Sequence, residues 1–471
     1  MQQHRGYPCG FWPLFGSEVV SRFGFWAIQA LLVLYLIQFF HFTDNLAYSF
    51  FASYCALTYA VTIMGGIIAD KFLGFKQPVI IGAFIIMIGS LVLTIPNIQM
   101  NEIALSLLIL GTGLMIPNIA NFIGALYSRE DTQRDKGFST FYIATNLGGL
   151  GGPILGGFIS KFFGWQAAFV AISFFMLIWL VIFALNYKKY VSYKHPTTWL
   201  KRISAYSMML VVAIISYVLL RHAEMLGYLL TAIFVLALCY VFYISFKTSL
   251  DSKVQLIFIV ACILLALYFF TFEFQILTSF IIFTQKFVNH SIFGFQLPVA
   301  SIVAIEPLFV VLLIPVINSV FDRLDQASIN VTQFQKITYG LACLSLCFLV
   351  FAMAAQVQMH TEHSLSLLWI FGGLIIMAIG EVLIMPPLLS VITKDAPDQL
   401  KGTLVGVLYL AIALSGYLAG QVAKLTESYI GVTKITVQTG YYHTYLAVFV
   451  LSMVLATALY VAQRHWSLKK I

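Results

Sequence analysis

Apolar stretches follow one another along nearly the whole of this chain, each about as long as a bilayer is thick. They lie near residues 11–40, 46–70, 76–96, 102–126, 137–162, 164–187, 199–221, 224–247, 254–288, 296–320, 333–357, 365–393, 399–427 and 440–464. A helix needs about 20 apolar residues to cross the hydrocarbon core. The fourteen runs therefore predict an all-α, multi-pass membrane protein. Composition points the same way, with 61% hydrophobic and 9% charged residues, where soluble domains carry about 25% charged residues.

The net charge of +8 would fit a nucleic-acid binder if the cations formed a patch. They do not. Alternate loops differ sharply: one side carries twenty Lys and Arg residues, among them Lys71, Arg134, Lys188, Lys189, Arg202, Lys253, Arg323 and Lys401. The other side carries five, namely Lys161, Arg221, Lys286, Lys424 and Lys434. Such asymmetry marks the cytoplasmic side of membrane proteins. It predicts a plasma (bacterial inner) membrane protein with both termini in the cytoplasm and no nucleic-acid partner. The N-terminus passes from Met1 through Arg5 and Pro13 into the first run without a cleavage-site pattern, so no separate signal peptide is expected. Six cysteines with no CxxC pair read as small buried apolar residues.

Six runs precede the most basic loop, Tyr187 to Arg202, and six follow Lys253. The expected organisation is an N-terminal six-helix bundle over 1–190, an inserted transmembrane hairpin over 191–253 and a C-terminal six-helix bundle over 254–471. Within the first run, Glu18 and Arg22 interrupt the apolar residues. Four residues apart, they share one helix face. A charge at the bilayer centre costs about 2.5–3.5 kcal/mol on insertion scales, so intramembrane charges mark functional pathways by default.

Several segments extend this into a family resemblance. Gly65–Lys76, GGIIADKFLGFK, resembles the loop signature of the major facilitator superfamily, with Asp70 and Lys71 as gating residues. Glu18–Phe23, EVVSRF, resembles the first-helix ExxERF signature of the proton-dependent oligopeptide transporter family. Phe141–Gly148, FYIATNLG, resembles that family's FYxxINxG segment, and Gly111–Asn118, GTGLMIPN, its GxGxxKPN segment. Gly380–Pro386, Gln275–Ser279 and Glu306–Phe309 resemble later segments, in order along the chain. The resemblance implies a proton-coupled symporter of di- and tripeptides or peptide-like molecules, working by alternating access with no cofactor. The expected partners are the cargo, protons and the lipid bilayer, and a monomer is expected.

By the same resemblance, Glu18, Arg22 and Glu306 carry proton coupling. Arg22, Tyr35, Tyr59, Asn146, Gln275, Glu306 and Glu381 bind substrate. A carboxylate beside a cation in a poorly solvated site can switch between paired anion and neutral acid. A proton on Glu18 would thus release Arg22, whose planar fork matches a peptide carboxylate. Asn146 and Glu381 would hold the amino group. Pro386 and Pro387 are expected to break or kink their span.

The sequence also departs from the family pattern. Ser21 stands where the signature has a second glutamate, Ile116 where it has lysine, and Gln29 where an arginine follows. Glu306 replaces an asparagine. In the seventh core helix Phe274 takes the acidic position, with Glu273 one residue away and so turned about 100° on a regular helix. Cations in the site reduce to Arg22 against Glu18, Glu306 and Glu381. A cargo with excess positive charge is therefore the alternative: a non-peptide cationic metabolite carried by the same fold, inward or outward. No catalytic His, Ser or Cys has partners at membrane depth, so an enzyme is not expected. No metal site is expected either; His360 and His363 lack further ligands nearby in the sequence. No GxxxxGK(S/T) loop supports ATP-driven transport.

Overall fold

A computed structural model describes residues 7–8, 10–127, 134–185, 198–245, 250–361, 363–395, 400–427 and 437–468. The expected hairpin boundary at 190/191 and Lys188 and Lys189 lie outside the described residues. The helices are α1 (Phe11–Gln38), α2 (Asp44–Ile68), α3 (Lys76–Val92), α4 (Ile98–Ala125), α5 (Arg134–Phe163), α6 (Trp165–Leu185), α7 (Trp199–Arg221) and α8 (Ala223–Ser245). There follow α9 (Leu250–Glu273), α10 (Ser279–Phe287), α11 (Val299–Ile302), α12 (Ile305–Gln326), α13 (Gln333–Met359), α14 (Leu367–Asp395), α15 (Lys401–Leu425) and α16 (Val437–Leu468).

Each apolar run is matched by helix. Twelve helical segments among the described residues are long and apolar enough to cross a membrane. Of the other two, α3 has 17 residues, and α5 is glycine-rich with Arg134, Asp135 and Lys136 at its start. Two runs are not single helices. The run over 254–288 breaks at a 3₁₀ turn, Phe274–Leu277, between α9 and α10. The next begins with the one-turn α11 before α12. The helix α14 continues through Pro386 and Pro387, so the expected break is not seen; a neighbouring-helix environment tolerates proline in spans.

The chain divides into two compact units. Unit 1 comprises Met1–His41, Ser53–Leu226 and Ala300–Ala304; unit 2 comprises Phe42–Ala52, Gly227–Val299 and Ile305–Ile471. In unit 1, small residues let helices cross at backbone distance. A Cβ on Gly65 of α2 would stand 1.9 Å from the Gly113 carbonyl oxygen of α4, and Asn118 donates from Nδ2 to the Gly65 carbonyl at 3.2 Å. The GGIIADKFLGFK segment ends α2 in a π turn, Ala69–Leu73. Gly74 closes it with φ +70° and donates its N–H to Ala69 O at 2.8 Å. That left-handed backbone favours glycine. Asp70 and Lys71 are both exposed at this junction. The first helix of the inserted hairpin joins unit 1 through the ion pair of Arg221 with buried Glu102, 3.2 Å.

Unit 2 packs α13 between α14 and α16. Its N-terminus carries a reciprocal cap: Thr332 Oγ1 accepts from Gln335 N, and Gln335 Oε1 accepts from Thr332 N. A cap of this kind contributes about 1 kcal/mol. Phe280, Phe348, Phe351 and Tyr445 form an aromatic cluster. The turn joining strands β2 (Ser291–Ile292) and β3 (Phe295–Gln296) has positive φ at Phe293 and Gly294. Positive φ at both central residues matches a type I′ hairpin turn.

Also in unit 2, Lys286 pairs with Asp44, and Glu427 hydrogen-bonds the same carboxylate. Glu427 lies beyond the end of α15. Burial, reinforced by Asp44 and opposed by Lys286, pushes its carboxyl up to about 7. A raised acid stabilises the fold fully below its unfolded value and loses that contribution as pH rises through about 7. Between about pH 5 and pH 8, the thermal midpoint of the detergent-solubilised protein should therefore fall more steeply than that of Glu427→Gln. Parallel curves would contradict this.

Candidate functional site

The helices α1 and α5 carry one candidate group, within unit 1. Glu18 is 1% exposed, so its charge must be met inside the protein. Its Oε1 accepts from Arg22 Nε at 2.7 Å and from Thr145 Oγ1 at 3.0 Å. Its Oε2 is buried without a hydrogen-bond partner. Arg22 also lies over the Phe25 ring at 5.8 Å, and Phe25 meets Tyr59 edge-on at 5.9 Å. Glu18, Arg22 and Tyr59 are thus brought together through Phe25, with Thr145 as an unanticipated member. Its signal was its place inside Phe141–Gly148, next to Asn146.

The geometry depends on a close crossing. A Cβ on Gly148 would lie 2.4 Å from Arg22 Cβ and 2.6 Å from Val19 O. The glycine therefore sets how near α5 comes to the ion pair. Asn146, mostly buried, donates from Nδ2 to Tyr142 O at 3.0 Å, one turn back on its own helix. Tyr35 lies thirteen residues from Arg22, about 20 Å along a helix. Its hydroxyl donates to Leu93 O at 3.2 Å, and its ring packs against Phe39, Phe40, Trp165 and Phe169.

A separate candidate group lies in unit 2, on α9, α12 and α14. Glu306 opens α12 and Glu381 sits within α14. Glu273, the last residue of α9, joins them: one oxygen from each of the three lies within 4.8 Å of the others. This is the group of acid, His or Cys side chains among the described residues placed to share a metal ion. Gln275 is committed to the helix break, donating to Thr271 O and Ala419 O and accepting from Ser279 Oγ at 2.7 Å.

These helices define a multi-pass membrane protein of the major facilitator class. The sequence model of the POT family matches residues 76–437. The chain belongs to the POT family. It is 28% identical over 444 residues to the uncharacterized transporter YclF of Bacillus subtilis, covering 90% of this chain and 89% of that one. It is also 28% identical over 446 residues to the peptide transporter YePEPT of Yersinia enterocolitica, covering 88% and 87%. Among solved structures, the peptide transporter POT in complex with sulfate superposes with a TM-score of 0.85 at 25% identity, covering 98% of this chain and 96% of that one.

Proposed function

We propose that this chain is a proton-coupled symporter that takes up di- and tripeptides or peptide-like small molecules by alternating access. The observation that carries the reading is the buried Glu18–Arg22 pair with one carboxylate oxygen left bare. Protonation of Glu18 removes the charge that holds the guanidinium, and Arg22 turns to the cargo carboxylate. Opposite charges favour each other's ionised form, so losing one weakens the hold on the other. Asn146 and Glu381 take the amino group, and Tyr59 flanks the site. Tyr35 and Gln275 act behind it: the Tyr35 hydroxyl donates to Leu93 O, and Gln275 donates to Thr271 O and Ala419 O and accepts from Ser279 Oγ. Glu306, with a carboxyl oxygen within 4.8 Å of one from Glu381, carries a second proton. Asp70 and Lys71 form a gate at the α2–α3 junction.

The protein works as a monomer in the plasma membrane, with both termini cytoplasmic. Its organisation is two six-helix bundles (1–190 and 254–471) with the hairpin 191–253 between them. Support for a peptide cargo comes from family membership and from a relative named as a peptide transporter.

The test is uptake by purified protein in liposomes. With the interior alkaline, labelled dialanine should accumulate at least tenfold above protein-free vesicles, and a protonophore should abolish the accumulation. No uptake of any member of a dipeptide library would overturn the peptide reading.

A further inference from the structure

The three carboxylates of unit 2 have no cation of their own. Glu273 is more than nine-tenths buried, and its Oε2 has no hydrogen-bond partner; Glu306 Oε1 is likewise buried and unpartnered. Ion pairs in the described residues join Arg22 to Glu18, Arg221 to Glu102 and Lys286 to Asp44, leaving Glu273, Glu306 and Glu381 without a lysine or arginine in range. Glu273 also ends α9, where the helix dipole disfavours an anion. A buried anion is retained only where something pairs with it. The bare oxygens of Glu273 and Glu306 therefore point to a positive ligand.

We propose that Glu273, Glu306 and Glu381 form a subsite for a second ammonium group of the cargo, which makes lysyl dipeptides and diamines preferred over neutral dipeptides. Three carboxyl groups gathered this closely repel one another as anions, and positive charge brought in by the cargo relieves them. The α-ammonium of a dipeptide supplies one positive charge, and a side-chain ammonium supplies a second. The spacing suits this ligand. Three N–H donors in tetrahedral directions, each at about 2.8 Å, place their acceptors about 4.6 Å apart, and the three oxygens lie within 4.8 Å of one another. A divalent ion such as Ca²⁺ takes about 6–8 oxygens, whereas one oxygen from each of the three side chains meets at this spacing. The inference rests on the transporter reading for the identity of the cargo, but not for the chemistry of the subsite.

Binding to the full-length protein in detergent, by calorimetry, tests it. The probes are dialanine, lysyl-alanine, cadaverine and calcium chloride. The expected result is lysyl-alanine binding at least tenfold tighter than dialanine, with Glu273→Gln and Glu306→Gln each reducing that ratio to threefold or less. Equal binding of the two dipeptides overturns the subsite and leaves peptide transport standing. Binding of cadaverine with no binding of either dipeptide supports the subsite and overturns the peptide cargo. Calcium binding that disappears in both variants, without any preference for lysyl-alanine, replaces the ammonium with a metal and overturns the proposal. No binding by any probe overturns it as well. The ratio in the unmodified protein decides the case should a variant fail to fold.

Discussion

Replacing Glu18 with glutamine is expected to remove proton-driven accumulation of cargo, at least tenfold, while exchange of cargo across the membrane without a gradient persists. Glutamine keeps the size of the side chain and can still meet Thr145, but it cannot alternate between anion and acid. Arg22 then stays free of its partner. Measuring accumulation and counterflow in the same vesicles separates the two, and equal loss of both would remove Glu18 from coupling. Arg22→Ala should behave differently. It leaves the Glu18 carboxylate, 1% exposed, without its cation, and breaking a buried pair in this way costs about 3–5 kcal/mol. Both stability and uptake should fall. The double change Glu18→Gln with Arg22→Ala should recover part of the stability and none of the uptake.

Gly148→Ala is expected to be nearly as damaging, although it adds one methyl group. The new Cβ would stand 2.4 Å from Arg22 Cβ, 2.6 Å from Val19 O and 2.8 Å from Phe23 N. Two of those atoms are backbone, so rotating a side chain does not relieve the clash and α1 must move away from α5. Overpacking of this kind costs typically about 1–3 kcal/mol. The same movement pulls Glu18 from Thr145, at 3.0 Å. Gly66→Ala is the matched control. It sits in α2 with nothing within 4 Å of its Cβ position, and alanine favours helix over glycine by up to about 1 kcal/mol. A thermal midpoint lowered in the first variant and held or raised in the second would establish the crossing as the cause; equal midpoints would refute it.

Most of the fold was legible because hydropathy reports spans directly: the runs near 11–40 and 333–357 became α1, Phe11–Gln38, and α13, Gln333–Met359. The Glu18–Arg22 contact followed from four-residue spacing alone. Glu273 was harder to place. Counting about 100° per residue on an unbroken helix turned it away from the acidic position. The chain instead leaves the α-helix at Glu273 and takes a 3₁₀ turn held by Gln275. Rotation counted along a regular helix does not carry across that break, and three-way proximity with Glu306 and Glu381 involves residues 33 to 108 positions apart. The smooth apolar character of this stretch hid the interruption. Thr145, although inside Phe141–Gly148, was not singled out for another reason: a threonine inside a span ordinarily bonds its own helix backbone, and the close crossing at Gly148 delivers it to a neighbour.

The lopsided bonding of Glu18 has a kinetic meaning. Oε1 takes both donors, so a proton arriving at Oε2 displaces nothing. Arrival and separation become distinct events, because the carboxyl can be neutralised while Arg22 and Thr145 still hold its other oxygen. In the proton-coupled cycle proposed above, the later moment is then the departure of the guanidinium from an already neutral partner. Under that proposal loading can run ahead of motion, and the protein can wait, charged with its proton, for cargo to complete the exchange.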